Sequence, residues 1–153
     1  MDILGFIAHI QAGRMAHEHA VKTALERAAV VVEREAKIEI GVYQGAAGPF
    51  AEWKELADAT KDDRVRHGYS ENDPLLREGA LVRSITHTVA DHVATIGSGE
   101  DIAVYQELGT DKIPPRSFLG GALVRKADRV VQICGETVVT SMFSGGNILP
   151  GIE

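Results

Sequence analysis

Apolar side chains recur at helical spacing through the first forty residues. Ile3, Phe6, Ile7 and Ile10 form one stripe; Val21, Leu25, Ala28, Val32 and Ala36 form a second, at steps of three and four. Gly13 lies between the two stripes and predicts either a kink or a pair of helices inside the helical segment of residues 1–42. The stretch "ALERAAVVVEREAK" is rich in alanine and carries its charges on the outer face, which suits a long helix. "YQGAAGPF" breaks the pattern. A short helix is predicted through Trp53, Leu56 and Ala57, and a charged, turn-forming loop over Asp62 to Pro74. Helical spacing resumes in "LLREGALVRSI" through Leu76, Ala80 and Leu81.

"SITHTVADHVATIGS" alternates instead. Ile85, His87 and Val89 fall on one face, Thr86, Thr88 and Ala90 on the other, and a second alternating run follows Asp91-His92, so two short strands joined by a tight turn are predicted. "EDIAVYQELG" reads as a short helix opened by acids and stopped by Gly109. A last helix is predicted from Phe118 to Met142, with Leu119, Leu123, Ala127, Val130, Val131, Cys134, Val138 and Met142 on its apolar stripe; residues 143–153 read as a flexible tail. The predicted architecture is α+β in a single domain spanning 1–153: a long N-terminal helix, short helices, a small antiparallel β-sheet and a long C-terminal helix.

The formal net charge is −6, which opposes a broad grip on nucleic acid yet suits a surface past which DNA slides. The single cysteine, Cys134, rules out a disulfide within the chain and fits a reducing compartment. "MDILGFIAHIQAGRM" has neither the basic start of a signal peptide nor a long apolar run, so no membrane association is expected.

Chemistry-bearing residues are sparse. His17 and His19 in "AHEHA" stand two apart, on nearly opposite sides of a helix, where a zinc pair needs a spacing of four. His87 and His92 flank the hairpin without a nucleophile beside them. Cys134 reads as a small core residue. No catalytic residue, metal site or cofactor is therefore expected, and the protein reads as a non-enzyme. "DDRVRHG" offers Arg64, Arg66 and His67 as a candidate loop near DNA, offset by Asp62 and Asp63.

The most unusual stretch is "AVYQELGTDKIPPRSFLGGAL". Glu107 lies in the last turn of a predicted helix, where the dipole disfavours a negative charge, and Arg116 lies within reach across the Pro114-Pro115 bridge. Coupling between them, within one subunit or across two, is the expectation. Ser117 is placed to cap the following helix. The proline-stiffened loop reads either as a helix-to-helix connection or as an interface element held in one shape.

The series "PLLREGALVRSI", then the hairpin ending in "ATIGS", then "AVYQELGTDKIPPRSFL" resembles the tail-completion, or virion-morphogenesis, family of tailed bacteriophages, Mu-type members included. The resemblance covers a core of residues 53–140. Leu75, Gly79, Leu81 and Ile85 match its first block, Tyr105, Glu107, Gly109 and Thr110 its second, and Pro115, Arg116, Phe118 and Leu119 its third. Glu78 stands where the family usually has a small hydroxyl residue, and Ser117 where it has proline.

The resemblance implies a structural protein of the virion neck or upper tail, made in the host bacterial cytoplasm. It would form a homo-oligomeric ring around the DNA channel and join a completed tail to a filled head. The implied neighbours are the tail terminator, the head-closure or stopper protein and the tail tube, with DNA passing the lumen without sequence-specific binding. The expected interface comprises Tyr105, Glu107, Gly109, Thr110, Pro114, Pro115, Arg116, Phe118 and Leu119, with the long N-terminal helix as its natural counterpart. The rival readings are a tail terminator capping the tube, a metal-dependent hydrolase using His17 and His19, and a DNA-binding accessory protein using Arg64, Arg66 and His67.

Overall fold

The Asp2 carboxylate accepts a hydrogen bond from the Gly5 backbone amide at 2.8 Å and so caps the first helix. The computed structural model describes residues 2–144, and the predicted tail from 145 onward lies outside the described residues. The first helix, α1, runs unbroken over Ile3–Glu39, about 55 Å at the usual rise. Gly13 does not split it; no atom crowds that position and the helix continues through it. Ile40 leaves the helix in extended conformation, and Gly41 turns the chain at φ +99°.

Ala47 and Phe50 then bridge each other, and the Trp53 amide donates to the Gln44 carbonyl, which draws the segment around Trp53 out of helical conformation. The short helix predicted through Trp53 is therefore absent. The polar run behind it forms α2, Asp58–Arg66, where a loop was expected. The chain continues through Leu75, at φ +64°, and Gly79, at φ +75°, into α3, Ala80–Ser84.

The hairpin follows as β1, Ile85–Ala90, and β2, Val93–Ser98, paired antiparallel from Ile85↔Ser98 to Ala90↔Val93. Asp91 and His92 both take positive φ, +49° and +62°, which is the primed turn a two-residue hairpin loop requires. Next come α4, Asp101–Leu108, then α5, Leu119–Arg125, and α6, Ala127–Ser144. The last helix is thus two helices, separated at Lys126. The break shifts the phase: Ile133 is buried, whereas Leu123, Ala127 and Val131 of the predicted stripe face solvent.

One side of α1 carries Ala20, Ala24, Ala28 and Ala29, all buried, and these small side chains let α6 approach closely. Further along, Val32, Ala36 and Ile40 meet Trp53, Leu81, Ile85, Ala103, Phe118 and Ala122 in the core. Helix, hairpin and α5 share this one centre, an α+β arrangement. Phe118 is fully enclosed there, so Phe118→Ala is expected to cost about 3–5 kcal/mol of unfolding free energy, read by urea denaturation.

Candidate functional site

The connection between α4 and α5 is built by two side chains that each turn inward. Glu107 sits on α4 one turn beyond Ala103, in phase with the buried face. Its carboxylate points away from the C-terminal end of its own helix and toward the N-terminus of α5. One oxygen accepts from the amides of Phe118 and Leu119, each at 2.9 Å; the other accepts from the Gly120 amide at 2.9 Å and the Ser117 hydroxyl at 2.6 Å. The Ser117 oxygen in turn accepts from the Gly121 amide at 3.2 Å. The orphan donors that begin any helix are thus met by an acid from the preceding one.

Arg116 turns the other way. Its guanidinium donates to the carbonyls of Lys54, at 2.8 and 3.2 Å, and Glu55, at 3.3 Å, and pins the extended Trp53 segment to the loop. Burial pulls the Arg116 pKa down from its ordinary value. Within the chain the expected Glu107–Arg116 pair does not form, because the carboxylate is taken up by α5 and the guanidinium by backbone carbonyls. Between them the loop is braced further. Thr110 accepts from the amides of Lys112 and Ile113, and its own amide donates to the Ile113 carbonyl at 2.8 Å. Gly109 holds φ +76° while a Cβ there would stand 2.9 Å from Pro115, so both the angle and the space demand glycine.

The nine residues expected at an interface therefore divide. Tyr105, Thr110 and Pro115 face solvent; Glu107, Gly109, Pro114 and Leu119 are partly covered. Arg116 and Phe118, unlike the other seven, are buried within the chain. Their role is to hold the loop from inside.

The trio expected near DNA divides as well. Arg64 is buried on α2 and donates to the carbonyls of Ser70, at 2.6 Å, and Leu76, at 2.5 Å. It organises residues 67–76 and offers no charge to a phosphate. Arg66 and His67 remain exposed at the end of α2. His17 and His19 are exposed on α1, and no group of three or more metal-ligating side chains comes together among the described residues.

The sequence reading passed over Glu39 and Arg125 and set His87 aside. Glu39 is only 2% exposed at the end of α1, and Arg125 of α5 reaches it at 2.7 Å while also donating to the Gly45 carbonyl at 2.7 Å. Burial, reinforced by the negative charges of Glu35 and Glu107, outweighs the Arg125 contact and pushes the Glu39 pKa up to about 7. The signal was its phase: Val32, Ala36 and Glu39 share one helical face. His87 lies on the inward face of β1 with its ring nitrogens against Glu33 and Glu26 of α1. The bond to Glu33 raises the His87 pKa and so favours the imidazolium.

Two measurements check this arrangement. Glu107→Gln keeps the shape but replaces an accepting oxygen with a donor, and is expected to cost roughly 2–3 kcal/mol of unfolding free energy. An unchanged denaturation midpoint would show that the carboxylate does not hold α5. Glu39 governs a pH window. The folded protein keeps its proton to about pH 7, whereas the unfolded chain releases it near 4.5. Between these values the folded state binds more protons, so stability falls as pH rises, by on the order of 3 kcal/mol over the whole window. The profile of Glu39→Gln should lack that decline when unfolding is followed from pH 4.5 to 8.

No family model, no curated protein and no solved structure matches this chain.

Proposed function

We propose that this protein is a structural subunit of a tailed-phage virion, placed at the neck or upper tail, where it forms a ring around the DNA channel and joins a finished tail to a filled head. The observation that carries the reading is the α4–α5 connection. Glu107, Arg116 and the Pro114-Pro115 pair hold it in one shape from within, while Tyr105, Thr110 and Pro115 face outward. A loop ordered in advance spends little entropy when it meets a partner, and a ring repeats that saving in each subunit. The residue series from Pro74 to Leu119 supports the same reading through its resemblance to tail-completion proteins. The net charge of −6 suits a lumen through which DNA passes without adhering. Arg66, with His67 beside it, is the exposed basic side chain left at the end of α2.

The test is joining in vitro. Purified protein added to filled heads and completed tails that lack it should yield joined particles, counted by electron microscopy. Pro114→Gly/Pro115→Gly should fold with little change in melting, because the core lies elsewhere, yet join poorly. Each freed residue adds an ordering cost on the order of 1 kcal/mol on assembly. Normal joining by the double variant would make the loop a connector only, and no joining by the wild type would remove the neck reading altogether.

A further inference from the structure

The hairpin is held to α1 unevenly along its length. At its base Ile85 is fully enclosed in the core, and Ile96 packs against the same cluster. Ile85, His87 and Val89 share the inward face, and the register sets His87 opposite Ile96 and Val89 opposite Ala94. Toward the turn the packing gives out. A cleft of about 280 Å³, lined by Glu18, Lys22, Val89, Ala90, Asp91 and His92, opens there between α1 and the hairpin. His87 stands between the packed base and the open tip, and its ring makes the hydrogen bonds that join the hairpin to α1.

That ring meets a carboxylate at each nitrogen. Nδ1 bonds Glu33, and Nε2 stands 3.2 Å from Glu26. The two acids lie about two helical turns apart, so they reach the ring from opposite ends. They do not converge on one point as metal ligands would, and no metal-ligating cluster forms among the described residues. An ionised carboxylate only accepts. Two of them are satisfied together only by a ring that donates from both nitrogens, which is the imidazolium. A neutral ring carries a single N–H, and its other nitrogen turns a lone pair toward a carboxylate oxygen. The closed geometry is thus coupled to one proton.

We propose that His87 is a proton-operated latch: its imidazolium clamps the outer half of the hairpin to α1, and loss of the proton lets that half lift and widen the cleft beside Glu18 and Lys22. The surroundings hold few groups that compete. On α1, Lys37 pairs with Glu33 and helps His87 to hold its carboxyl below the ordinary value. Glu18 and Lys22 face the cleft farther out, with Asp91 and His92 of the turn opposite them. β2 carries no titratable side chain. α3 packs on both strands and offers only Arg83, which donates to the Glu78 carbonyl. The His87 side chain is 21% exposed, so water reaches the proton without unfolding the chain. The bond to Glu33 raises the His87 pKa above its ordinary 6.5. The clamp is therefore complete below pH 6.5 and is lost as pH rises past the higher value of the closed state.

Hydrogen exchange and imidazole NMR on the full chain test the latch together. Both are followed from pH 5 to 9 in the wild type and in Glu39→Gln, which lacks the carboxyl that titrates near pH 7 at the far end of α1. In both chains the His87 ring should titrate above 6.5. Protection factors of the amides between Thr88 and Thr95 should fall through the same midpoint, about tenfold for each unit by which the closed hairpin raises it. In Glu39→Gln the amides around Ala36 and Ala122 should keep theirs. His87→Gln cannot carry the proton, so its outer hairpin should be weakly protected at every pH. Glu26→Gln offers an amide N–H to the neutral ring, so its hairpin should stay protected on the alkaline side. Hairpin protection that holds steady while the ring titrates would overturn the proposal, as would a ring that titrates at or below 6.5. Wild-type pH dependence surviving in His87→Gln would do the same. So would protection around Ala36 and Ala122 falling in step with the hairpin in Glu39→Gln, because that marks unfolding of the whole core. The wild-type titration decides the midpoint and the hairpin protection by itself, so the test stands where a variant fails to fold.

Discussion

The fold turns on a single carboxylate. Glu107 belongs to α4 by sequence and to α5 by bonding, and the ten residues between the helices have no regular structure to hold them. Three amides and a hydroxyl converge on its two oxygens, so the start of α5 is fixed relative to the end of α4. Phe118 sits at that start, fully enclosed against Val32, Ala36 and Ala122. The acid therefore places the side chain that closes the core. Its apparent misplacement near the end of a helix disappears once the target is known: a charge unfavourable to one dipole serves the next.

The remaining irregular segments are held by the same kind of bond with the sign reversed. Arg64 and Arg116 are both buried, and each spends its guanidinium on backbone carbonyls of chain that forms neither helix nor strand. Carbonyls outside regular structure must find donors or water, and a planar fork of five N–H groups can serve several at once. Through these two side chains α2 fixes residues 67–76 and the loop fixes the Trp53 segment. Glu39 and Arg125 tie the end of α1 to α5 in a third such link, the only one of the three in which charge meets charge.

What the sequence disclosed follows from this division. The long first helix, the hairpin and α4 were legible because periodicity, a positive-φ turn at Asp91-His92 and a stop at Gly109 are local properties. Positions 51–66 were misread because Trp53 and Leu56 imitate a helical stripe, while the bond from Trp53 to Gln44 that extends the chain depends on the preceding turn. The C-terminal helix was read in one piece for a related reason. Its composition is helical throughout, and the break at Lys126 arises where α5 and α6 must each meet α1, with Lys126 reaching Glu35 at 3.1 Å. At the candidate site the important positions were visible and the pairing was not. Glu107 and Arg116 stood out as charges out of place, but their partners are backbone atoms, which carry no sequence signal.

Inward polar anchors have a consequence for the outer surface. A loop stabilised by contacts it makes with a partner must lose structure when the partner is absent. Here Glu107, Arg116 and Gly109 secure the connection entirely from within the chain, so Tyr105 and Leu108 are left exposed without being needed for folding. The first turns of α1 likewise add no side chain to the core among the described residues. Helix formation there is propagated from a long packed segment and closed by the Asp2 cap, so its apolar stripe takes no part in the core. The chain therefore separates two kinds of side chain: buried charges and alanines build the core, and exposed isoleucine, phenylalanine and leucine stand outside it.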